Sequence, residues 1–264
     1  MKKITSLFVV LLLILTSCSS DDSSENSSPD SSVILVKKIV QTANDGKTFT
    51  SEFSYDGRKI IKQIKKENNL YVQTINYYYT GDLITKYEVT KGSEFVSSVE
   101  IKYEGNKLKK LFSKMKTEIP DLFLYTKSDY THNADGTISI VQKDVDIDTQ
   151  EEKNPIMGEL TYSNGNVVKE VYNITYYDIT TNVIYEYDSK NSPFKNILGA
   201  NYLLNIGGFG YLVNNNTKMT IADTSKPSGF RIFITTFTYD ANNFPLESKR
   251  LEDNESEFKT QFFY

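Results

Sequence analysis

The stretch VEIKYEGNKLKKL, Val99 to Leu111, decides the fold. Its first half alternates. Traced back to Glu94, it sets Phe95, Val99, Ile101 and Tyr103 on one side, with Ser97 the one polar residue there. Glu94, Ser98, Glu100 and Lys102 take the other side, joined by Val96. A period of two marks a strand with one wet face. Gly105 and Asn106 then accept the left-handed dihedrals of a tight turn, and Leu108 opens a new strand. The four residues between Tyr103 and Leu108 predict a short hairpin loop, with those two side chains opposite each other on one side of the sheet. An aromatic–aliphatic cross-strand pair contributes roughly 0.2–1 kcal/mol.

The unit recurs. FSYDGRKI holds Tyr55, NYYYTGDLI holds Tyr79 and IKYEGNKL holds Tyr103, spaced 24 and 24. LTYSNGNVV gives Tyr162, YEYDSKNSPF gives Tyr187 and FTYDANNFPL gives Tyr239; the sequence closes on QFFY at Tyr264. DYTHNADGTI is a degenerate copy with His132 near the tyrosine position. The pattern predicts about 14 to 16 short strands in one all-β antiparallel meander over residues 33–264. A sheet of that size with one apolar face must bury the face, by curling into a barrel or by folding over as an open curved, layered sheet. The outer strand faces are rich in Lys, Glu, Ser and Thr, the reverse of the apolar band of a barrel in lipid. If the sheet closes, the expectation is a water-soluble barrel. One segment, residues 191–219, breaks the pattern: Ser192 and Pro193 suit the start of a short helix, with Phe194, Ile197 and Leu198 on one face. It is expected to plug or lid one end of the sheet.

The start of the chain sets the expected compartment. Lys2 and Lys3 precede the apolar run Leu7 to Leu15, too short to span a bilayer and suited to a secretory signal over residues 1–17. LTSC, Leu15 to Cys18, resembles the lipobox of bacterial lipoproteins. The resemblance implies acylation of Cys18, the chain's one cysteine. Residues 18–32 hold no aliphatic or aromatic side chain and predict a flexible tether, about 50 Å when extended. Ser19, Asp21 and Asp22 resemble the export tag of Bacteroidota surface lipoproteins, which implies the outer membrane with the domain facing outward. The alternative is the periplasmic face. Without Lys2 and Lys3 the chain has 28 basic and 34 acidic residues, net −6. Interspersed charge of that sign does not suit nucleic acid.

The hairpin units resemble the YD-type repeats of secreted bacterial proteins. The whole chain after the signal, with its lipobox and SPFKNILGANYLL, resembles a family of Bacteroidota lipoproteins described as having a porin-like β fold. The resemblance implies architecture and carries no catalytic residue.

Chemistry is sparse. His132 is the single histidine, which excludes His-based zinc sets; it reads as an exposed turn residue. DVDIDTQEE, from Asp144, sets Asp144, Asp146 and Asp148 on one face of an extended strand. Clustered carboxylates suit calcium, but Thr149 and Pro155 stand where an EF-hand needs Gly and Glu, so the run reads first as a solvated hairpin end; no cofactor is expected, with calcium the alternative. GGFG, Gly207 to Gly210, lacks the rest of a phosphate loop. Nineteen Tyr and fifteen Phe read first as packing; Tyr77, Tyr78 and Tyr176 are the candidates for a ligand surface. The leading reading is a non-catalytic, lipid-anchored module that binds a ligand or partner of unknown specificity, such as a glycan or an envelope protein, or serves the envelope structurally. The alternative is a hydrolase with an Asp/Glu pair in the β cavity.

Overall fold

The computed structural model describes residues 33–119, 121–203, 213–225, 230–252 and 256–264. Sixteen antiparallel strands lie among them. They are β1 (Lys38–Thr42), β2 (Thr48–Asp56), β3 (Lys59–Glu67), β4 (Leu70–Thr80), β5 (Leu83–Lys91), β6 (Glu94–Glu104), β7 (Lys107–Lys116) and β8 (Phe123–His132). Then come β9 (Ile138–Val145), β10 (Glu152–Ser163), β11 (Asn166–Ile174), β12 (Ile179–Tyr187), β13 (Asn216–Asp223), β14 (Phe230–Tyr239), β15 (Pro245–Glu252) and β16 (Ser256–Phe263). Each strand pairs with its neighbours in sequence, and β1 pairs with β16, so the meander closes into a barrel.

The expected hairpins form, with one difference. Glu104 pairs with Lys107, so the loop is only Gly105–Asn106, with Gly105 at φ +59°. The ladder then slips between Lys102 and Tyr103. The same slip precedes Tyr55, Tyr79, Tyr162, Tyr187 and Tyr239. A bulge leaves one residue unopposed and sharpens the local twist. Here the extra residue lies after the turn, as Lys109 does, and it brings the partner Leu108 inward opposite Tyr103.

The phenols then reach sideways. Tyr103 donates to the carbonyl of Ile84 at 2.9 Å, and Ile84 is the residue paired with the preceding unit's Tyr79. Tyr79 accepts from the amide of Ile60 at 3.1 Å, the partner of Tyr55. Tyr187 donates to Val167 at 2.6 Å, the partner of Tyr162. Tyr264 donates to Pro245 at 3.0 Å, the partner of Tyr239. His132 keeps the rule: its Nε2 lies 2.9 Å from the Leu108 carbonyl. A carbonyl only accepts, so this nitrogen carries the proton. His132 is therefore half-buried at the end of β8 in a tyrosine's place, not an exposed turn residue.

The inner face has two levels. Near the tyrosine turns it is apolar, with Ile60, Ile84, Leu108 and Leu160 fully buried. Residues 188–203 and 213–215 close this end. Their core, Ser192 to Leu203, buries Ile197, Ala200 and Leu203 in the same cluster. The expected helix does not propagate. Ser192 Oγ accepts from the Phe194 amide at 3.1 Å, as a cap would. The following bonds nevertheless run three residues back, and a single 3-10 turn, Ala200–Tyr202, ends the segment. Docking explains this. The Leu198 amide donates to Arg58, its carbonyl accepts from Tyr79, and Arg58 donates back to Asn196. Gly199 has φ +77°, and a methyl group there would run into the Asp82 carbonyl. Chain bonds spent on the surrounding turns are not available for a helix. The insert also ends earlier than expected, because Asn216 already starts β13.

The outer wall is charged. One outward row across β5 to β9 reads Lys86, Glu100, Phe112, Lys127, Lys143. Each lysine at mid-bilayer would cost about 2–4 kcal/mol on a lipid-facing barrel, so this part of the wall suits water.

Three outcomes follow from this architecture. Tyr103→Phe leaves the Ile84 carbonyl without its phenol, and chemical denaturation should show a loss of about 1 kcal/mol; Tyr78→Phe, on the outer wall, should show none. Gly199→Ala should cost about 1–3 kcal/mol by overpacking and left-handed strain, with hydrogen exchange quickened at Ile60 and Leu198 first. Burial, the largest cause, pushes the Tyr55, Tyr77, Tyr79 and Tyr103 phenols well above the usual range. Above about pH 10 the unfolded chain loses these protons first, so the folded state holds more protons and stability falls as pH rises. Phenolate absorbance should appear together with unfolding; gradual ionisation of all phenols near pH 10, with the barrel intact, would contradict this.

Candidate functional site

Twenty-seven lysines and three arginines supply the positive charge. Most described lysines populate the outer wall, Lys65 on the inner face excepted, and each ion pair among the described residues uses a lysine. Lys127 and Lys143, for example, hold the Glu152 carboxyl down at about 2 through hydrogen bonds. The arginines are placed differently. Arg58 fastens the plug. Arg231 and Arg250 stand on the inner face, flanking the buried ring of Phe233 at 5.9 and 4.2 Å from its centroid.

Register explains the inward position of Arg250. Thr235 opposes Arg250, and Phe237 opposes Ser248, which opposes Thr260, which opposes Gln41. Their outward neighbours Lys249, Lys259 and Gln261 are exposed. These inward side chains enclose a cavity of about 160 Å³, floored by Pro193 and Phe194 of the plug. Asn215 and Asn216 form its side. Asp188 fixes that side by accepting from the Asn215 amide and side chain and from Tyr239. Asn216 donates to the carbonyls of Glu186 and Lys218 at 3.1 and 2.9 Å.

The opposite inner wall carries a polar belt above the apolar level. Tyr77 donates to Gln63 Oε1 at 3.1 Å, and Gln63 donates to Ser51 at 3.1 Å. Burial pushes the neighbouring Lys65 ammonium down. Glu170 is buried beside the Tyr172 phenol, whose proton it helps to retain. Tyr130 and Tyr162 feel the same carboxylate, and the buried Tyr162 hydroxyl has no partner among the described residues. Glycoside hydrolysis calls for two carboxylates on one bond; the groups around Glu170 are phenols.

The sequence candidates do not converge. Tyr77 is inside. Tyr78 is on the outer wall, with Lys86 Nζ 5.4 Å from its ring centroid. Tyr176 is 77% exposed on a turn at the unplugged end, edge-on to Tyr177 at 4.9 Å. The acidic run is also divided. Asp144 lies near the end of β9 and accepts from Asn154. Asp146 and Asp148 lie past that strand, in a turn where Asp146 accepts from the amides of Asp148 and Thr149. The three therefore share no strand face, and no metal-holding group of three acids or histidines occurs among the described residues. Cys18 and Gly207–Gly210 lie outside the described residues. Sequence reasoning also assigned Phe95 to the apolar side. A bulge at Val96 carries it to the outer wall, where Lys114 lies over Phe95 and Phe123. The residue it missed is Arg250, whose signal was an arginine on a chain that otherwise chooses lysine.

Neither a protein-family model nor a curated protein matches the chain. Solved structures do share its fold. A porin-like protein from Bacteroides vulgatus aligns with a TM-score of 0.58 at 13% identity, over 88% of this chain and 99% of that one. A porin-like protein from Bacteroides uniformis aligns at 0.51 and 11%, over 86% and 96%. At such identity the likeness shows a common porin-like β-barrel fold.

Proposed function

We propose that this chain is a lipid-anchored protein of the cell envelope that holds a small ligand in its barrel, without catalysis. The single observation that carries the reading is the cavity between the plug and the inner faces of β14, β15, β16 and β1. Concave sites with an apolar lining and a few fixed polar groups are where small molecules bind. A plugged barrel with a charged outer wall is a container, not a conduit through a bilayer. The porin-like name of the structural relatives supports an envelope address, and the lipobox at Cys18 supports an acyl anchor on the outer membrane, facing outward.

The two ends of the barrel differ. The described chain enters at the plugged end, where Asn196 donates to the Ile34 carbonyl at 2.9 Å and Tyr55 to Val36 at 2.6 Å. Exposed Leu70, Tyr71, Ile119, Leu122 and Tyr177 ring the other end. This rim offers glycan or protein partners of the envelope an apolar contact.

Labelled palmitate should enter the protein and be lost in Cys18→Ala. In thermal-shift measurements on the full-length protein, a panel of small carboxylates, neutral sugars and amines should yield a stabilising ligand. That ligand should no longer act on Ser248→Trp, which fills the cavity. A panel with no such Ser248-sensitive ligand would sink the container reading, and palmitate retained in Cys18→Ala would sink the anchor.

A further inference from the structure

We infer that the cavity above the plug is a site for a small aromatic carboxylate, held ring-down on the plug with its carboxylate on Arg250. This rests on the container reading and names the ligand class. Size comes first. An apolar cavity of roughly 150 Å³ holds one benzene ring, and this cavity is about 160 Å³. One six-membered ring with a short polar arm fits; a sugar chain or a peptide does not.

The layers of the cavity set the orientation. Phe194 of the plug and Phe262 of β16 make an apolar floor. Ser248 and Thr260 add hydroxyls at the next level. Arg250 stands one pair further from the plug, opposite Thr235. It is the only charged residue lining the cavity among the described residues. Arg250 Cζ lies 4.2 Å from the Phe233 ring centroid, and a guanidinium offers a planar N–H fork that matches a carboxylate in a way a lysine cannot. Arg231 adds a second positive charge on the other side of Phe233. Glu252, opposite Phe233 on the same inner face, is the acid nearest in register.

Isothermal titration of the full-length protein with phenylacetate, phenylacetamide and acetate separates the contributions. Phenylacetate should bind one to one with a Kd of roughly 0.1–1 mM, the range for about ten atoms. The amide keeps the shape without the charge, and acetate keeps the charge without the ring. Each should bind about tenfold more weakly or worse, as should phenylacetate to Arg250→Gln. Equal affinity for acid and amide overturns the assignment, and so does wild-type affinity in a folded Arg250→Gln. If that variant does not fold, the acid–amide comparison on the native protein decides alone. A neutral ligand lost in Ser248→Trp but indifferent to Arg250→Gln overturns the carboxylate while leaving the container reading in place.

Discussion

The structure depends on one small bond made many times. In each unit a tyrosine reaches past its own hairpin to the backbone of the hairpin before it, as Tyr103 does to Ile84 and Tyr264 to Pro245. A single bond of this kind contributes about 1 kcal/mol. Its geometry matters more than its strength. Cross-strand pairing alone fixes register within a hairpin; the phenol fixes one hairpin against the next. The bulge beside each tyrosine sharpens the twist and brings the ring's partner inward opposite it. Repetition carries the sheet around until β16 meets β1. Two places break the series. Tyr162 has its hydroxyl buried without a partner among the described residues, and Tyr239 is drawn to Asp188 instead. Asp188 is where the chain leaves the wall to build the plug.

The plug turns a wide barrel into a one-ended vessel. Sixteen strands enclose more space than wall side chains alone fill. Near the tyrosine turns that space is taken by Ile197, Ala200 and Leu203, so the apolar ends of the units have something to pack on. The insert also meets the turns between β2 and β3 and between β4 and β5 through Arg58 and Asp82. It therefore adds a second tie between hairpins already joined through the β3–β4 pairing.

Charge chemistry divides along the wall. Lysine serves where the side chain is solvated, because its ammonium is strongly hydrated and its stem is flexible. Arginine serves where donors must point: Arg58 into the plug, Arg231 and Arg250 onto Phe233. The same division separates a wall that keeps the protein in water from an interior able to select a ligand.

The amino-acid sequence by itself determined the hairpin unit, the antiparallel meander and a strand count within about two of the sixteen found, because side-chain alternation and Gly/Asn turns are local matters. It also marked residues 191–219 as foreign to the repeat and put His132 in a tyrosine's place. It did not determine that the sheet closes, since the β1–β16 pairing joins residues more than two hundred positions apart. Nor did it show the bulges: a single unopposed residue reverses the side of everything beyond it, and that is how Phe95 came to face outward. The turns of the plug were hidden for a related reason. Ser192 and Pro193 favour a helix locally, and only contact with Arg58, Tyr79 and Asp82 overrules them. The cavity belongs wholly to the tertiary structure, because Gln41, Phe194 and Arg250 become neighbours only when the barrel is closed and stoppered.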